Sequence, residues 1–287
     1  MTTIVFGLTF LSGDPVVTLA PLNTTAEDLA VFRRSLGLDR PVPVQYADFL
    51  LHAAQGDFGT SFRYQEPAMG VVLERAPATL RLAAVAVLFT VLVSVPLGIV
   101  AALHRGRAID AVARIIAVIG QSIPSFLLGI ILILVFAVGL RWLPSSGAAG
   151  WQSLVLPGIT IGGLSAAVLA RVLRSSMIEV LSQDHVRTAY AKGIPKRSVI
   201  LRHALKNAAL PFSSLLGLQV GYLLSGAVVA ETIFSYPGMG RLAVEAISTK
   251  DIPVIQSFVT VTASIVVASN LVVDLVYRRL DPRIRLS

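Results

Sequence analysis

Residues 82–103 read LAAVAVLFTVLVSVPLGIVAAL, with no ionisable side chain. The hydrocarbon core of a bilayer is about 30 Å thick, and about 20 residues of helix cross it. No water is present there to take up stray backbone N–H and C=O groups. A helix satisfies them internally, and an interior proline such as Pro96 is tolerated when neighbours re-satisfy the freed carbonyls. The stretch is therefore predicted to span a membrane.

Four further runs extend this reading, at about 115–140, 154–173, 208–230 and 252–273. Pro124 in the first of them is expected to kink its helix and free carbonyls. The whole chain agrees: of its 287 residues 55% are hydrophobic and 14% charged, with a mean hydropathy of +0.77. Soluble domains carry about 25% charged residues. There is no cysteine, which excludes disulfides, thiolate metal sites and cysteine nucleophiles. The four histidines are scattered, so no metal site is expected. The net charge of +8 admits two readings, nucleic-acid binding or the excess of Lys/Arg in cytoplasmic loops. The spans favour the second.

The beginning is unusual. Residues 1–13, MTTIVFGLTFLSG, are too few to span as a helix and carry no basic residue of the kind a signal peptide needs. They are read as a partial first span, with a short, tilted or re-entrant segment as the alternative. If that span starts inside, the inner segments 103–114, 171–206 and 277–287 hold three, eight and four Lys/Arg, fifteen of the 24 in all. That asymmetry implies six spans with both ends cytoplasmic. The organisation expected is a partial span at 1–13, an extracytoplasmic helical region at 14–77, a membrane core at 78–277 with a basic loop at 176–206, and a cytoplasmic tail at 278–287. In the outer region, residues 26–38 and 42–57 each show helical periodicity; the second has Val44, Phe49 (or Ala47), Leu51 and Ala54 on its apolar face and Gly56 as its stop.

The inner basic loop contains RTAYAKGIPKRSVILRHALKNAALP, Arg187 to Pro211, with six Lys/Arg, one histidine and no acid. Ser182 is a plausible N-cap and Asp184 a favourable first-turn acid. His185 to Lys192 can run as two helical turns. Gly193 suits the left-handed position after a helix, and Pro195 the first turn of the next. In that next helix Ile200, Leu201, Ala204, Leu205 and Ala208 form an apolar face. Small residues (Thr188, Ala189, Ala191, Gly193) leave room for another protein to approach. Residues alone leave three readings: a docking element, a solvated basic loop touching anionic lipid, or a tethered helix-turn-helix, which would rarely reach DNA.

This segment resembles the EAA loop of ABC-importer permeases. Arg187 and Thr188 stand where that motif has Glu and Ala, Ala189 and Gly193 match, and the chain reads RTAxAKG followed by HALxNAxxP. That variant is similar to the dipeptide/oligopeptide/nickel branch. SGDP (Ser12–Pro15), LGLDRPVPVQY (Leu36–Tyr46), GDFGTSFR (Gly56–Arg63), PATLRLA (Pro77–Ala83), IPSF (Ile123–Phe126), ETIFSYPGMGRL (Glu231–Leu242) and DPR (Asp281–Arg283) extend the resemblance over nearly the whole chain. The long outer region is similar to the B-type subunit.

The resemblance implies an all-α integral membrane protein with the six-span type I permease fold of ABC importers, in a bacterial inner membrane with its C-terminus cytoplasmic. It implies a non-enzymatic permease subunit that imports di- or oligopeptides, or alternatively nickel chelate or glutathione. The implied partners are a homologous C-type permease subunit, two ATP-binding subunits, an extracytoplasmic solute-binding protein and membrane lipid. Nucleic acid is not among them. ATP and Mg would sit on the partner subunits and no cofactor on this chain. Ala189, Tyr190, Lys192, Gly193 and Ile194 would make the ATPase contact, with Ala189 and Gly193 closest.

The residues add support. No G-x-x-x-x-G-K-[ST] loop occurs, so no phosphate cradle for ATP is recognisable. An ion-coupled carrier would be expected to show ionisable residues deep in its spans, and no span here carries one; Glu231 lies at the outer end of its span. That favours ATP coupling over an ion-coupled carrier or a non-transporting scaffold. Gln121, Ser122 and Gln219 are candidates to line a solute path, or simply to bond neighbouring helices. Tyr236-Pro-Gly-Met-Gly is expected to be an outer turn.

Overall fold

The structure, a computed structural model, describes residues 39–280 together with Gly7, Val31 and Arg34. Apart from those three residues, the expected partial first span and the helix at 26–38 lie outside the described residues, as does most of the tail. The described residues are almost wholly helical and contain no β-strand, only one isolated bridge between Thr60 and Pro67. In chain order the helices are α1 (Val42–Ala54), α2 (Ala68–Leu103), α3 (Ala108–Ser122) and α4 (Ser125–Gly139). They continue as α5 (Trp151–Leu181), α6 (Asp184–Ala191), α7 (Lys196–Ile233), α8 (Met239–Ser248) and α9 (Ile252–Leu280).

Four of these are long and apolar enough to cross a membrane, or five if α3 and α4 together form one broken span. The helices outrun the apolar runs that announce them. At 1.5 Å per residue, the 36 residues of α2 extend about 54 Å, beyond the roughly 30 Å hydrocarbon core. Hydropathy marks where lipid contact ends, whereas backbone hydrogen bonding continues until a breaker intervenes. The run at 115–140 is not one kinked helix. Ile123 and Pro124 adopt extended backbone (ψ 120° and 140°), and α3 and α4 meet at 105°. The residue before a proline is pushed out of the α region, so the chain leaves the helix at Ile123.

The chain divides into two compact units, Met1–Ala78 with Pro237–Ile265 and Thr79–Tyr236 with Val266–Ser287. Residues 237–265 thus join the residues before 79 in one unit. In that unit Ala68, Val72, Met239, Leu242, Ala246 and Val254 form the core. A buried clasp closes it: Asp251 accepts from Ser61 Oγ at 2.6 Å and from the Arg63 backbone N–H at 3.2 Å, while Ser61 Oγ accepts from Tyr64 N–H at 3.0 Å. The expected apolar face of α1 is not buried. Val44 and Leu51 are exposed, and Phe49 of the same face is half-buried, its ring meeting Tyr46 and Phe58 at 6.5 and 6.1 Å between centroids.

In the second unit, glycines set the approach of α2 and α5. A Cβ at Gly158 would lie 2.7 Å from Val85 Cγ1, one at Gly162 2.8 Å from the Ala86 carbonyl oxygen, and one at Gly98 2.9 Å from Leu173 Cβ. Lipid gives no hydrophobic drive between helices, so close backbone contact through small residues holds them together. Thr90 Oγ adds a hydrogen bond to the Gly162 carbonyl at 3.2 Å.

Candidate functional site

The C-terminal end of α5 leads into the basic loop. Ser182 does not cap α6. Its hydroxyl donates back to the Glu179 carbonyl at 2.6 Å, closing α5, and Gln183 occupies the N-cap position with no side-chain cap bond. The helix begins at Asp184 and lasts eight residues. It ends in a Schellman arrangement: Gly193 N–H donates to the Tyr190 carbonyl at 3.0 Å and Ile194 N–H to the Ala189 carbonyl at 3.3 Å. Gly193 is left-handed, φ +73°, which glycine adopts without steric cost. Pro195 turns the chain, and its carbonyl accepts from the N–H groups of Ser198 and Val199 to start α7.

An eight-residue helix is marginal alone, so its anchoring decides its position. Val186 and Ala189, one turn apart, are buried in a core with Met177, Val180, Val199, Ile200 and Ala204. Ile194 packs against the same core. This corrects one expectation. Ala189, expected among the open small residues, is 5% exposed and packed into its own subunit's core. The three-residue spacing to Val186 carried that signal. A second correction concerns the start of α7. A π-helical stretch at Val199–Ala204 rotates the face, so Val199 is buried and Leu201 is exposed.

Tyr190, Lys192 and Gly193 are exposed, as are Arg187, Thr188 and Ala191. A Cβ on Gly193 would meet nothing within 4 Å. Arg187 reaches Asp184 at 3.4 Å. Among the described residues, Lys192, Lys196, Arg197, Arg202 and Lys206 have no acid within ion-pair distance and are all exposed. The site is thus a short rigid knob, small-residued and ringed by cations, carried on a packed base. Asn207 donates to the His203 carbonyl at 3.0 Å and lies 3.4 Å from His185 Nε2, tying α7 to α6.

Sequence reasoning missed one anchor nearby. Asp110, the sole acid in the inner segment 103–114, is buried and accepts from Arg174 Nε at 2.6 Å and Nη2 at 2.8 Å. The backbone N–H of Gly106 donates to it at 3.1 Å. This two-pronged pair fastens α3 to α5.

The three polar span residues separate. Gln121 Nε2 donates to the Ala117 carbonyl, and its Oε1 accepts from Arg171 at 2.8 Å. Ser122 is exposed and bonds its own helix at the Val118 carbonyl. Gln219 lies half-buried on α7 and makes no hydrogen bond with any described residue. Gln121 lines a cavity that neither of the others lines. Glu231 is fully buried and accepts from Thr79 Oγ1 at 2.6 Å. The Tyr-Pro-Gly segment is a turn, entered through Ser235 at φ +48°. Tyr236 is buried, which pushes its phenol up from the ordinary range.

Two family models match the chain. Residues 94–286 match the binding-protein-dependent transport system inner membrane component, and residues 1–83 match the N-terminal part of such a membrane component. The chain belongs to this family. The glutathione transport system permease protein of Salmonella choleraesuis is 42% identical over 275 residues, 96% of this chain and 90% of that protein. Its Escherichia coli K12 counterpart is 41% identical with the same coverage. Among solved structures, the inward-facing MetNI methionine ABC transporter matches with a TM-score of 0.61, 16% identity, and coverage of 74% of this chain and 97% of that one. An amino acid ABC transporter crystallised with histidines gives 0.56 at 14% identity, covering 73% and 94%. The fold is that of ABC-importer permeases, and the chain is a multi-pass, inner-membrane permease subunit of such an importer.

Proposed function

We propose that this permease admits glutathione or a peptide of similar size, as the B-type partner of a homologous permease. Two ATP-binding subunits would drive it and an extracytoplasmic binding protein would deliver the solute. The single observation that carries the coupling role is the exposed knob Asp184–Gly193 on its buried Val186–Ala189 base. A rigid knob transmits a push from a partner into α5 and α7, because its underside belongs to their shared core. The small, open surface at Ala191 and Gly193, with Tyr190 and Lys192 beside it, takes the ATPase contact in place of Ala189. Ile194 anchors from below. ATP and Mg would act on the partner subunits. The solute reading draws on the relatives named as glutathione permeases. Of the polar span residues, Gln219 is the proposed path contact, since Gln121 and Ser122 already spend their hydrogen bonds elsewhere. The Lys/Arg asymmetry supports a cytoplasmic C-terminus.

The test is co-purification from gently solubilised membranes with mass spectrometry, wild type beside Gly193→Glu, together with uptake of labelled glutathione. ATPase subunits with the wild type and none with a folded variant support the knob as the docking element. A wild type that captures no ATPase refutes it. Uptake of other peptides but not glutathione would overturn the solute assignment alone.

A further inference from the structure

The inner parts of α2, α3 and α5 enclose a cavity of about 250 Å³. Leu97, Ala101, Ala113, Ala117 and Ala170 give it apolar walls, and Arg114, Arg171 and Arg174 also line it. No acid lines it. Asp110 engages Arg174 and lies 3.7 Å from Arg114, so two guanidiniums share one carboxylate. Arg171 has no acid within ion-pair distance among the described residues, and its hydrogen bond goes to the neutral amide of Gln121. Two formal positive charges are therefore left without a counter-charge beside an apolar wall. A planar guanidinium fork matches phosphate oxygens in pairs.

The outer surface of α3 adds a second, independent observation. Ile109, Val112, Ile115, Ile116, Val118 and Ile119 are all between 47% and 58% exposed, while Asp110, Ala113 and Ala117 face inward. Val118 belongs both to this exposed face and to the cavity lining. The bend of 105° after Ser122 means α3 and α4 cannot both run along the membrane normal. An amphipathic helix at a membrane surface presents this pattern. Its occupant must offer an anion to the arginines and an apolar chain to the isoleucines. A soluble anion supplies only the first, and an acid-free protein face only the second.

We propose that this cavity binds the phosphate of an anionic phospholipid from the leaflet facing the basic loops, its acyl chain lying along the exposed face of α3. Basic pockets between membrane helices on the cytoplasmic side take anionic head groups by this chemistry. Arg171 and Arg114 hold the phosphate. Arg174, already paired with Asp110, sets the cavity's edge, and Gln121 holds the Arg171 guanidinium through its 2.8 Å hydrogen bond.

The experiment uses the full chain purified in detergent with the subunits that accompany it. Binding is measured by native mass spectrometry during titration with short-chain phosphatidylglycerol, phosphatidylcholine of the same chain length, glycerol phosphate, inorganic phosphate and glutathione. The expected result is at least fivefold tighter binding of phosphatidylglycerol than of phosphatidylcholine, weakened by salt. Arg171→Gln is expected to remove most of that preference and Arg171→Lys to keep part of it. Arg114→Gln, at an exposed position, gives the same direction should the Arg171 variants fold poorly. Equal binding of the two lipids overturns the proposal, as does a preference untouched by either glutamine variant. Inorganic or glycerol phosphate binding as tightly as phosphatidylglycerol replaces the lipid by a soluble anion. Displacement by glutathione reassigns the cavity to the solute. Loss of the preference in the assembled transporter overturns the proposal, because a partner subunit then covers α3.

Discussion

Replacing Asp110 by alanine leaves Arg174 facing an apolar cavity without its carboxylate. The geometry sets the size of the effect. Arg174 donates twice, at 2.6 and 2.8 Å, to a side chain that is 2% exposed. Removing one partner of a fully buried pair costs about 3–5 kcal/mol. Arg174 keeps 20% of its side-chain surface exposed and can turn toward water, so the cost here is about 2–3 kcal/mol. For a chain of this size that is a fall in melting temperature of about 4–12 °C. Arg174→Met is expected to cost at least as much as Asp110→Ala, because it strands a carboxylate that is 2% exposed with only the Gly106 N–H at 3.1 Å and Arg114 at 3.7 Å beside it. The double variant Asp110→Ala/Arg174→Met leaves no buried charge and is expected to recover part of the loss. Its melting temperature then lies above that expected from adding the single effects, with a coupling of about 1–2 kcal/mol. The assay is thermal unfolding of the detergent-purified subunit followed by fluorescence-detected size exclusion. Strict additivity of the two changes, or a loss below 1 kcal/mol for Asp110→Ala, refutes the view that this pair fastens α3 to α5.

Three further outcomes follow from single positions. At Gly193, alanine and glutamate incur the same left-handed backbone strain, about 1–2 kcal/mol, yet only glutamate adds bulk to the open surface. Transport in a reconstituted system should therefore fall far more for Gly193→Glu than for Gly193→Ala; equal losses would mean that strain, not docking, is responsible. Gly162→Ala places a Cβ 2.8 Å from the Ala86 carbonyl oxygen and is expected to destabilise by about 1–3 kcal/mol, read as a lower melting temperature, whereas Gly70→Ala, with open space around it, should not. Ser61→Ala removes the hydroxyl from Asp251, whose Oδ1 already lacks a partner, and is expected to cost about 1–3 kcal/mol and to speed proteolytic cleavage within residues 57–66. Unchanged cleavage would show that the clasp does not hold that loop.

How much of this was legible depended on whether a signal was local. The apolar run at 82–103 announced a spanning helix because lipid forces backbone groups to pair within the segment. Gly193 announced its turn because few other residues accept φ +73°. The resemblance in Arg187–Pro211 and the shorter pieces around it led to the family. By contrast, Ala189 looked like an exposed small residue until its partners Met177, Val199 and Ala204 were seen beneath it. Alanine is equally at home on either face of a helix, so composition gave no preference. Pro124 signalled a disturbance but not its size, since the bend between α3 and α4 is set by packing on both sides.

The sequence by itself determined the helical, membrane-embedded class, the positions of the apolar runs, the capped short helix before Gly193 and the absence of a recognisable ATP loop. Each follows from backbone sterics or from transfer into lipid, which act within a few residues. Tertiary structure alone decided which face of α6 is free, that Asp110 joins Arg174 across 64 residues, and that residues 237–265 pack with the earlier unit. It also gathered Arg114, Arg171 and Arg174 around one cavity. Those pairings depend on distances between helices, and helix spacing is fixed by glycine contacts such as Gly158 to Val85 that no linear pattern records.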